Sequence, residues 1–361
     1  MVMPMLPIPD FFAPDRVGEV WRVPYEERAA QAAAWARSHE LRAAAGDRTR
    51  ICLIAVDVQN TFCIPGFELF VAGRSGRAAV DDNVRLCRFI YRHLDTITQI
   101  YPTLDTHTPI QIFHPVFWIN DAGAHPAPYT LLSADDVRQG RWRVNPDAAG
   151  RITASLRMAG DAGRETHDER WLQRYAQYYV DRLERSGKYQ LTIWPYHALL
   201  GGIGHALVSA VDEAVFFHAL ARASRPGVQT KGDHPLTEHY SVLRPEVMED
   251  QDGRPIAGKN TGFIEALLEF DAVVIAGQAK SHCVAWTIDD LLTEIAAVDP
   301  ALARKVYLLE DCTSPVVVPG VIDYTEQADA AFRRFHDAGM HVVRSTDSLE
   351  TWPGLPQTVR G

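Results

Sequence analysis

The sequence has no run of basic residues, no long apolar segment and no closely spaced cysteine pair. Its 361 residues include 36 Lys and Arg against 46 Asp and Glu, for a net charge of −10. Such a chain offers no surface that matches a phosphate backbone or an anionic membrane. No basic segment precedes the apolar residues at the start, and no apolar run approaches the roughly 20 residues that span a bilayer. We therefore predict a cytoplasmic protein that binds neither nucleic acid nor membrane.

The cysteines are few, odd in number and scattered, without any CxxC pair. This distribution is typical of a reduced compartment rather than of a disulfide framework. The five are Cys52, Cys63, Cys87, Cys283 and Cys312. We expect four of them to be small hydrophobic residues of the core.

The composition is that of a globular protein, with 47% hydrophobic and 23% charged residues. Residues 1–48 are predicted to be an N-terminal extension whose helix ends near Gly46. A hydrolase domain follows over 49–350, and 351–361 form a C-terminal tail. Within the domain, the loosely patterned stretch 120–188 reads as an insertion that covers the active-site crevice or extends a subunit contact.

Strand and helix patterns alternate along the domain, which predicts an α/β fold with a doubly wound, mostly parallel sheet and helices on both faces. The predicted strands are 51–58, 98–104, 189–195, 272–277, 305–311, 341–346 and a short one before Lys231. The predicted helices lie within 80–97, 167–187, 204–223, 261–269, 283–297 and 324–338.

The first candidate for a nucleophile is Cys283, which lies in the segment GQAKSHC between the predicted strand 272–277 and a helix. Unpaired backbone N–H groups and the positive end of the helix dipole favour a thiolate there, which predicts reactivity near neutral pH. Amides of residues 279–283 can hold the oxyanion that forms when a carbonyl is attacked. From this segment alone, a plain core cysteine is the competing interpretation.

Two charged residues at strand ends suit the same chemistry. Asp57 ends the strand 51–58, and Lys231 follows a short apolar strand. Amide hydrolysis needs a base that takes the thiol proton and a cation that favours the ionised state. Taken singly, the aspartate is typical of a capping residue and the lysine of surface charge.

A second polar group consists of Asp105 and His107 in LDTH and His197 in WPYH. A carboxylate and an imidazole two residues apart extend to the same side, and an imidazole from a neighbouring strand end completes a three-ligand face. This donor set suits a divalent metal ion, zinc first, with manganese or iron as alternatives. His114 and His205 are nearby alternative ligands.

In order, the motifs are VDVQNTFC, LDTH, WPYHALLGGIGHAL, TKGDHP followed by EHYS, GQAKSHCV and LLEDCTSP. This ordered set resembles the nicotinamidases and pyrazinamidases of the isochorismatase-like cysteine hydrolase superfamily, over roughly 50–118 and 189–346. The resemblance implies that Asp57 is the catalytic acid and base, Lys231 the catalytic lysine and Cys283 the nucleophile that forms a thioester.

The resemblance also implies the surroundings of the triad. Asp105, His107 and His197 are the implied metal ligands, and the metal meets the ring nitrogen of the substrate. A cis peptide bond between Gln278 and Ala279 is implied, with the amides of Ala279 and Cys283 as oxyanion hole. Phe62 and Trp194 match positions that stack on the substrate ring.

The sequence departs from that family at Thr61, at His282 beside the nucleophile, and in its insertion and extension. The function we predict is hydrolysis of a small heteroaromatic carboxamide, with nicotinamide giving nicotinate and ammonia. Two alternatives are open: a related hydrolase for another amide, such as an N-carbamoyl compound, and a catalytically silent binding or assembly module. A homo-oligomer is expected from the resemblance alone.

Overall fold

A computed structural model describes residues 5–158, 168–186 and 189–355. Its centre is a six-stranded sheet in which every neighbouring pair is parallel. The strands are β1 (Ile51–Val56), β2 (Gln99–Asp105), β3 (Gln229–Lys231), β4 (Ala272–Gly277), β5 (Val306–Leu309) and β6 (His341–Val343). They lie in the order β6-β5-β4-β1-β2-β3. The predicted α/β fold with a doubly wound parallel sheet is confirmed.

Helices cover both faces of this sheet. They are α1 (Tyr25–Ser38), α2 (Ala78–Arg92), α3 (Pro146–Met158), α4 (Glu169–Ser186), α5 (Ser209–Ala221), α6 (Thr261–Leu268), α7 (Ala285–Val298) and α8 (Thr325–Asp337). Alternate residues of β1 enter opposite cores: Ile54 belongs to the core that includes residues of α4, α6, α7 and α8, whereas Leu53 belongs to the core that includes residues of α1, α2 and α5. Both faces of β1 are therefore buried, which explains its continuous apolar run.

The strand order reverses between β1 and β4. The chain proceeds from β1 outward to β3 and then returns to β4 on the other side of β1. Loops that follow β1 and β4 diverge at such a switch point and leave a crevice at the carboxyl end of the sheet. Gly277 permits the close approach here, since a Cβ atom on it would lie 2.1 Å from the Val56 carbonyl oxygen.

The N-terminal extension packs on the core through α1. Arg28 is buried there, with its Nε 2.8 Å from Glu213 Oε1 on α5. The predicted continuation of this helix to Gly46 is wrong, because α1 ends at Ser38. Glu40 adopts a left-handed φ of 52° and the Leu41 amide donates to the Ala36 carbonyl, which is the Schellman termination of a helix.

The insertion has its own secondary structure. It contains α3, α4, a short helix at Ala134–Arg138 and the strand Leu131–Leu132. The prediction that 189–195 belongs to the main sheet is wrong: only Leu191–Thr192 is a strand, and it pairs antiparallel with Leu131–Leu132. The edge of the main sheet beside β2 is occupied by β3 instead. Residues 167 and 187, the two ends of the predicted helix 167–187, lie outside the described residues.

The C-terminal tail is packed as far as it is described. Trp352 is buried, and its ring stacks on Tyr307 with 5.1 Å between centroids. Among the helices within the described ranges, none is both long and apolar enough to cross a membrane.

Candidate active site

Asp57 lies directly after β1 and is fully buried. Its backbone adopts a left-handed φ of 46°, which turns the chain sharply at the strand end. The hydroxyl of Thr103 on β2 fixes this turn: it accepts from the Asp57 amide at 3.0 Å and donates to Asp57 Oδ1. The other carboxylate oxygen, Oδ2, is directed toward the lysine on β3.

Lys231 ends β3 and is the register partner of Asp105 at the end of β2. Its Nζ lies 2.9 Å from Asp57 Oδ2 and 2.9 Å from Asp105 Oδ1, and it donates to the His239 carbonyl. Burial acts against the charged amine, but the two carboxylates outweigh it and hold the pKa of Lys231 well above its usual value. The side chain is therefore an ammonium ion between two acids.

Cys283 completes the triad, with its Sγ 3.5 Å from Lys231 Nζ. It lies in the turn Lys280–Val284, which leads into α7. Burial raises the pKa of the Cys283 thiol well above its usual value, Lys231 opposes this, and Asp57 and Asp105 reinforce it. A helix terminus contributes at most about 2 kcal/mol, so burial beside two acids opposes the thiolate that the helix start was expected to favour.

Asp57, the candidate proton acceptor for this thiol, also has a raised pKa. Burial raises the pKa of Asp57, Lys231 acts in the opposite direction, and Asp105 acts in the same direction as burial. A buried carboxylate of higher pKa is a better proton acceptor than one in water. Asp57 and the Cys283 thiol share a hydrogen bond and can thus exchange one proton while Lys231 keeps its charge.

The peptide bond between Gln278 and Ala279 is cis, as the family resemblance implies. The Gln278 side chain is buried and donates to Asp82 Oδ2 at 2.8 Å, while the Ala279 carbonyl accepts from the amides of His282 and Val284. These contacts connect the start of the segment that carries Cys283 to α2 and to the residues that follow Ala279. The oxyanion-hole role of the Ala279 and Cys283 amides stays a prediction.

Asp105, His107 and His197 come together as a buried cluster, with one ligand atom of each within 4.8 Å of the others. Nε2 of His107 lies 2.9 Å from Asp105 Oδ2, and Nε2 of His197 lies 3.6 Å from the same oxygen. The Nδ1 atoms of both rings contact backbone carbonyls, those of Gly232 and Pro195. Such carbonyl contacts fix the tautomer and direct Nε2 toward a metal.

The cluster fits a divalent cation. Nε2 of His107 is buried and has no partner in hydrogen-bonding geometry within the described part of the chain. Gly232, at φ 87°, leaves this space open, because a Cβ atom there would lie 2.7 Å from Asp105 Oδ1. Two imidazoles and a carboxylate suit zinc, manganese or iron.

The two alternative histidines lie outside the cluster. Nε2 of His205 contacts the Thr106 hydroxyl at 2.9 Å. The His114 ring is 6.0 Å from that of His107, and its Nδ1 faces the Pro109 carbonyl. Both are therefore suitable controls for the assignment of His197.

We expect His197→Ala to lose most of its bound metal, because one of three ligands disappears. Zinc content per chain after dialysis against a limiting zinc buffer should fall at least tenfold. His114→Ala and His205→Ala should retain the wild-type content. Full occupancy of His197→Ala, or loss in His205→Ala, would contradict the ligand assignment.

Cys283 of the triad and Asp105 and His197 of the metal cluster line one cavity of about 390 Å³. The polar residues of its lining include Asp105, His197, Glu238 and Cys283. Aromatic rings form much of the wall: Phe62, Phe67, Phe70, Tyr129, Trp194 and Tyr240. Phe62 and Trp194, which the resemblance implies as ring-stacking residues, line this cavity, and their stacking on a substrate ring stays a prediction. Tyr129 brings the insertion to the edge of the cavity.

Sequence reasoning missed several supporting residues. Gln59 bonds to both the amide and the carbonyl of Asp105 and so joins β1 to β2. Tyr179 on α4 accepts from the Glu238 amide, and thereby supports the loop that carries Glu238 into the cavity. Gln59 lies inside the DVQN motif that signalled Asp57. Thr103 and Tyr179 gave no local signal, because their partners are distant in sequence.

No protein-family model matches the chain, and no curated protein matches it by sequence. Its fold is similar to that of several solved structures. For a nicotinamidase and pyrazinamidase of Acinetobacter baumanii, the identity is 18% and the TM-score 0.46, over 83% of this chain and 98% of that one. For the yeast nicotinamidase the identity is 19% and the TM-score 0.47, over 81% of this chain and 99% of that one. For N-carbamoylsarcosine amidase from Thermoplasma acidophilum the identity is 15% and the TM-score 0.37, over 83% of this chain and 99% of that one.

Proposed function

We propose that this chain is a metal-assisted cysteine amidohydrolase that hydrolyses small heteroaromatic carboxamides, with nicotinamide as the first candidate. One observation carries the proposal. Lys231 Nζ lies 2.9 Å from Asp57 Oδ2 and 3.5 Å from Sγ of Cys283, which lines an aromatic cavity. A thiol, a buried base and a fixed cation are the groups that acyl transfer from an amide requires.

The first half of the proposed reaction forms an acyl-enzyme. Asp57 accepts the thiol proton of Cys283 as the sulfur attacks the carboxamide carbon. The oxyanion that forms is held by the amides of Ala279 and Cys283. Asp57 then returns the proton to the nitrogen, the C–N bond breaks, and ammonia leaves a thioester on Cys283.

The second half uses the same residues in reverse order. Asp57 takes a proton from a water molecule that attacks the thioester, and the C–S bond breaks. The carboxylic acid is released and the proton returns to the thiolate of Cys283. Throughout, the ammonium of Lys231 offsets the negative charge that moves between the acid and the sulfur.

Asp105, His107 and His197 would hold the divalent cation, for which zinc suits the donor set. When bound, this cation supplies a Lewis-acidic site for a lone pair on the substrate ring. Phe62 and Trp194 offer faces on which a flat ring packs. This combination favours a heteroaromatic amide over an aliphatic one.

Ammonia release from nicotinamide by the zinc-loaded protein tests the proposal. We expect steady release with an equal amount of nicotinate, and none from an N-carbamoyl amino acid at the same concentration. Protein stripped by a chelator should regain activity when zinc is added back. Hydrolysis of the N-carbamoyl compound alone would replace the proposed substrate class and retain the cysteine chemistry.

A further inference from the structure

His282 lies beside the nucleophile, lines the same cavity and has no part in the reaction proposed above. Its ring packs among three aromatic rings, at centroid distances of 4.8 Å to Tyr324, 5.4 Å to Tyr240 and 6.0 Å to Trp194. The imidazole is thus held in one orientation by packing. The hydrogen bonds of the imidazole then determine whether it offers a donor or an acceptor to a ligand.

Ser281 sets the tautomer of His282. The Val316 amide donates to Ser281 Oγ at 3.1 Å, and Nδ1 of His282 is 2.8 Å from the same oxygen. Within the described residues Nδ1 is the acceptor available to the Ser281 hydroxyl proton, which favours the tautomer in which Nδ1 accepts. An Nδ1 that accepts a hydrogen bond places the ring proton on Nε2.

The ring is also neutral near neutral pH, because burial lowers the pKa of His282 to about 4. A neutral imidazole with its proton on Nε2 is a directed hydrogen-bond donor. Nδ1 alone has a hydrogen-bond partner in the described part of the chain, and the residue faces the cavity. The carboxylates in the same cavity are hydrogen-bond acceptors. Nε2–H of His282 instead provides a hydrogen-bond donor on the wall near Cys283.

We propose that Nε2–H of His282 is a specificity-determining donor that selects amides with a ring acceptor next to the carboxamide. This inference rests on the proposed function and deepens it. In a substrate whose carboxamide carbon meets Cys283 Sγ, a ring atom ortho to the carboxamide would lie on the side of His282, which lines the same cavity as Cys283 and the metal ligands Asp105 and His197. A six-membered ring directs its two para atoms to opposite sides. A ring with two para nitrogens would then meet the metal cluster with one nitrogen and His282 with the other.

Nicotinamide and pyrazinamide form a matched pair for this test. Pyrazinamide carries the ring nitrogen of nicotinamide and a second one para to it, adjacent to the carbon that bears the carboxamide. The quantity to measure is the ratio of kcat/KM for pyrazinamide to kcat/KM for nicotinamide. The difference in intrinsic reactivity between the two amides is the same for every variant and cancels when ratios are compared.

Two substitutions separate the donor from the packing. His282→Phe keeps an aromatic ring among Tyr324, Tyr240 and Trp194 but removes Nε2–H. His282→Gln places an amide N–H near the position of Nε2. We expect the ratio to fall about five- to tenfold in His282→Phe, the effect of one lost hydrogen bond, and to recover at least half of that loss in His282→Gln.

An unchanged ratio in His282→Phe would overturn the inference while the hydrolase itself stands. If the wild type hydrolyses neither amide, the proposed function fails, and calorimetric binding decides the role of His282. Both amides are then titrated into Cys283→Ala and into Cys283→Ala with His282→Phe. A five- to tenfold fall in the relative affinity for pyrazinamide supports the donor. An equal ratio, or no binding of either amide, overturns it.

Discussion

Replacing Cys283 with alanine is expected to lower kcat for nicotinamide hydrolysis at least ~10⁴-fold, because no other group can form the thioester. The substitution removes one buried sulfur and leaves the helix start intact, so the free energy of unfolding should change by about 1 kcal/mol. Ammonia release and thermal unfolding of the same preparation measure both effects. Loss of activity with an unchanged fold identifies a chemical role for the thiol.

Cys312→Ala is the matched control for that experiment. Cys312 is also buried, lies in the turn Glu310–Cys312 after β5, and belongs to the other of the two cores from Cys283. It should retain wild-type kcat with a similar small change in stability. Turnover by Cys283→Ala within tenfold of the wild type would remove Cys283 from the mechanism.

Asp57→Asn is the second substitution with a large expected effect. Asparagine has the same shape and can still bond to Thr103, but it cannot accept the thiol proton from Cys283. We expect kcat to fall about 10³- to 10⁴-fold. Stability should fall less than for a fully broken buried pair, because Asp105 still neutralises Lys231.

Asp47→Asn separates this catalytic loss from a general loss of stability. Asp47 pairs with the buried Arg222, so the substitution weakens an ion pair that takes no part in the triad. It should lower the unfolding temperature while kcat per folded molecule stays at the wild-type value. More than a tenth of wild-type kcat in Asp57→Asn would contradict the base assignment.

The positions of the reactive residues could be predicted because they follow parallel strands. Asp57 follows β1 and Cys283 follows β4, and strands of one parallel sheet end at a common edge. Lys231 and Asp105 end paired strands, so their side chains meet as well. The apolar runs that end in polar residues were therefore sufficient to predict that these side chains lie close together.

Features that depend on distant partners could not be predicted. The strand pattern in 189–195 signals extended backbone but does not select a partner, and Leu191–Thr192 pairs with the insertion. The pKa of Cys283 depends on burial and on acids from β1 and β2, which outweigh the helix start visible in the sequence. Tyr179 supports the Glu238 loop across 59 positions, a contact that no local pattern indicates.

Mass analysis of the Cys283 peptide during turnover tests the proposed thioester mechanism most directly. Protein mixed with excess nicotinamide is quenched in acid within the first turnovers, digested and analysed together with the ammonia released. We expect a nicotinoyl group on Cys283 that is absent from the Asp57→Asn protein and from samples without substrate. Ammonia formed in the same quenched samples while the Cys283 peptide stays unmodified, or an acyl group on another residue, would contradict this mechanism.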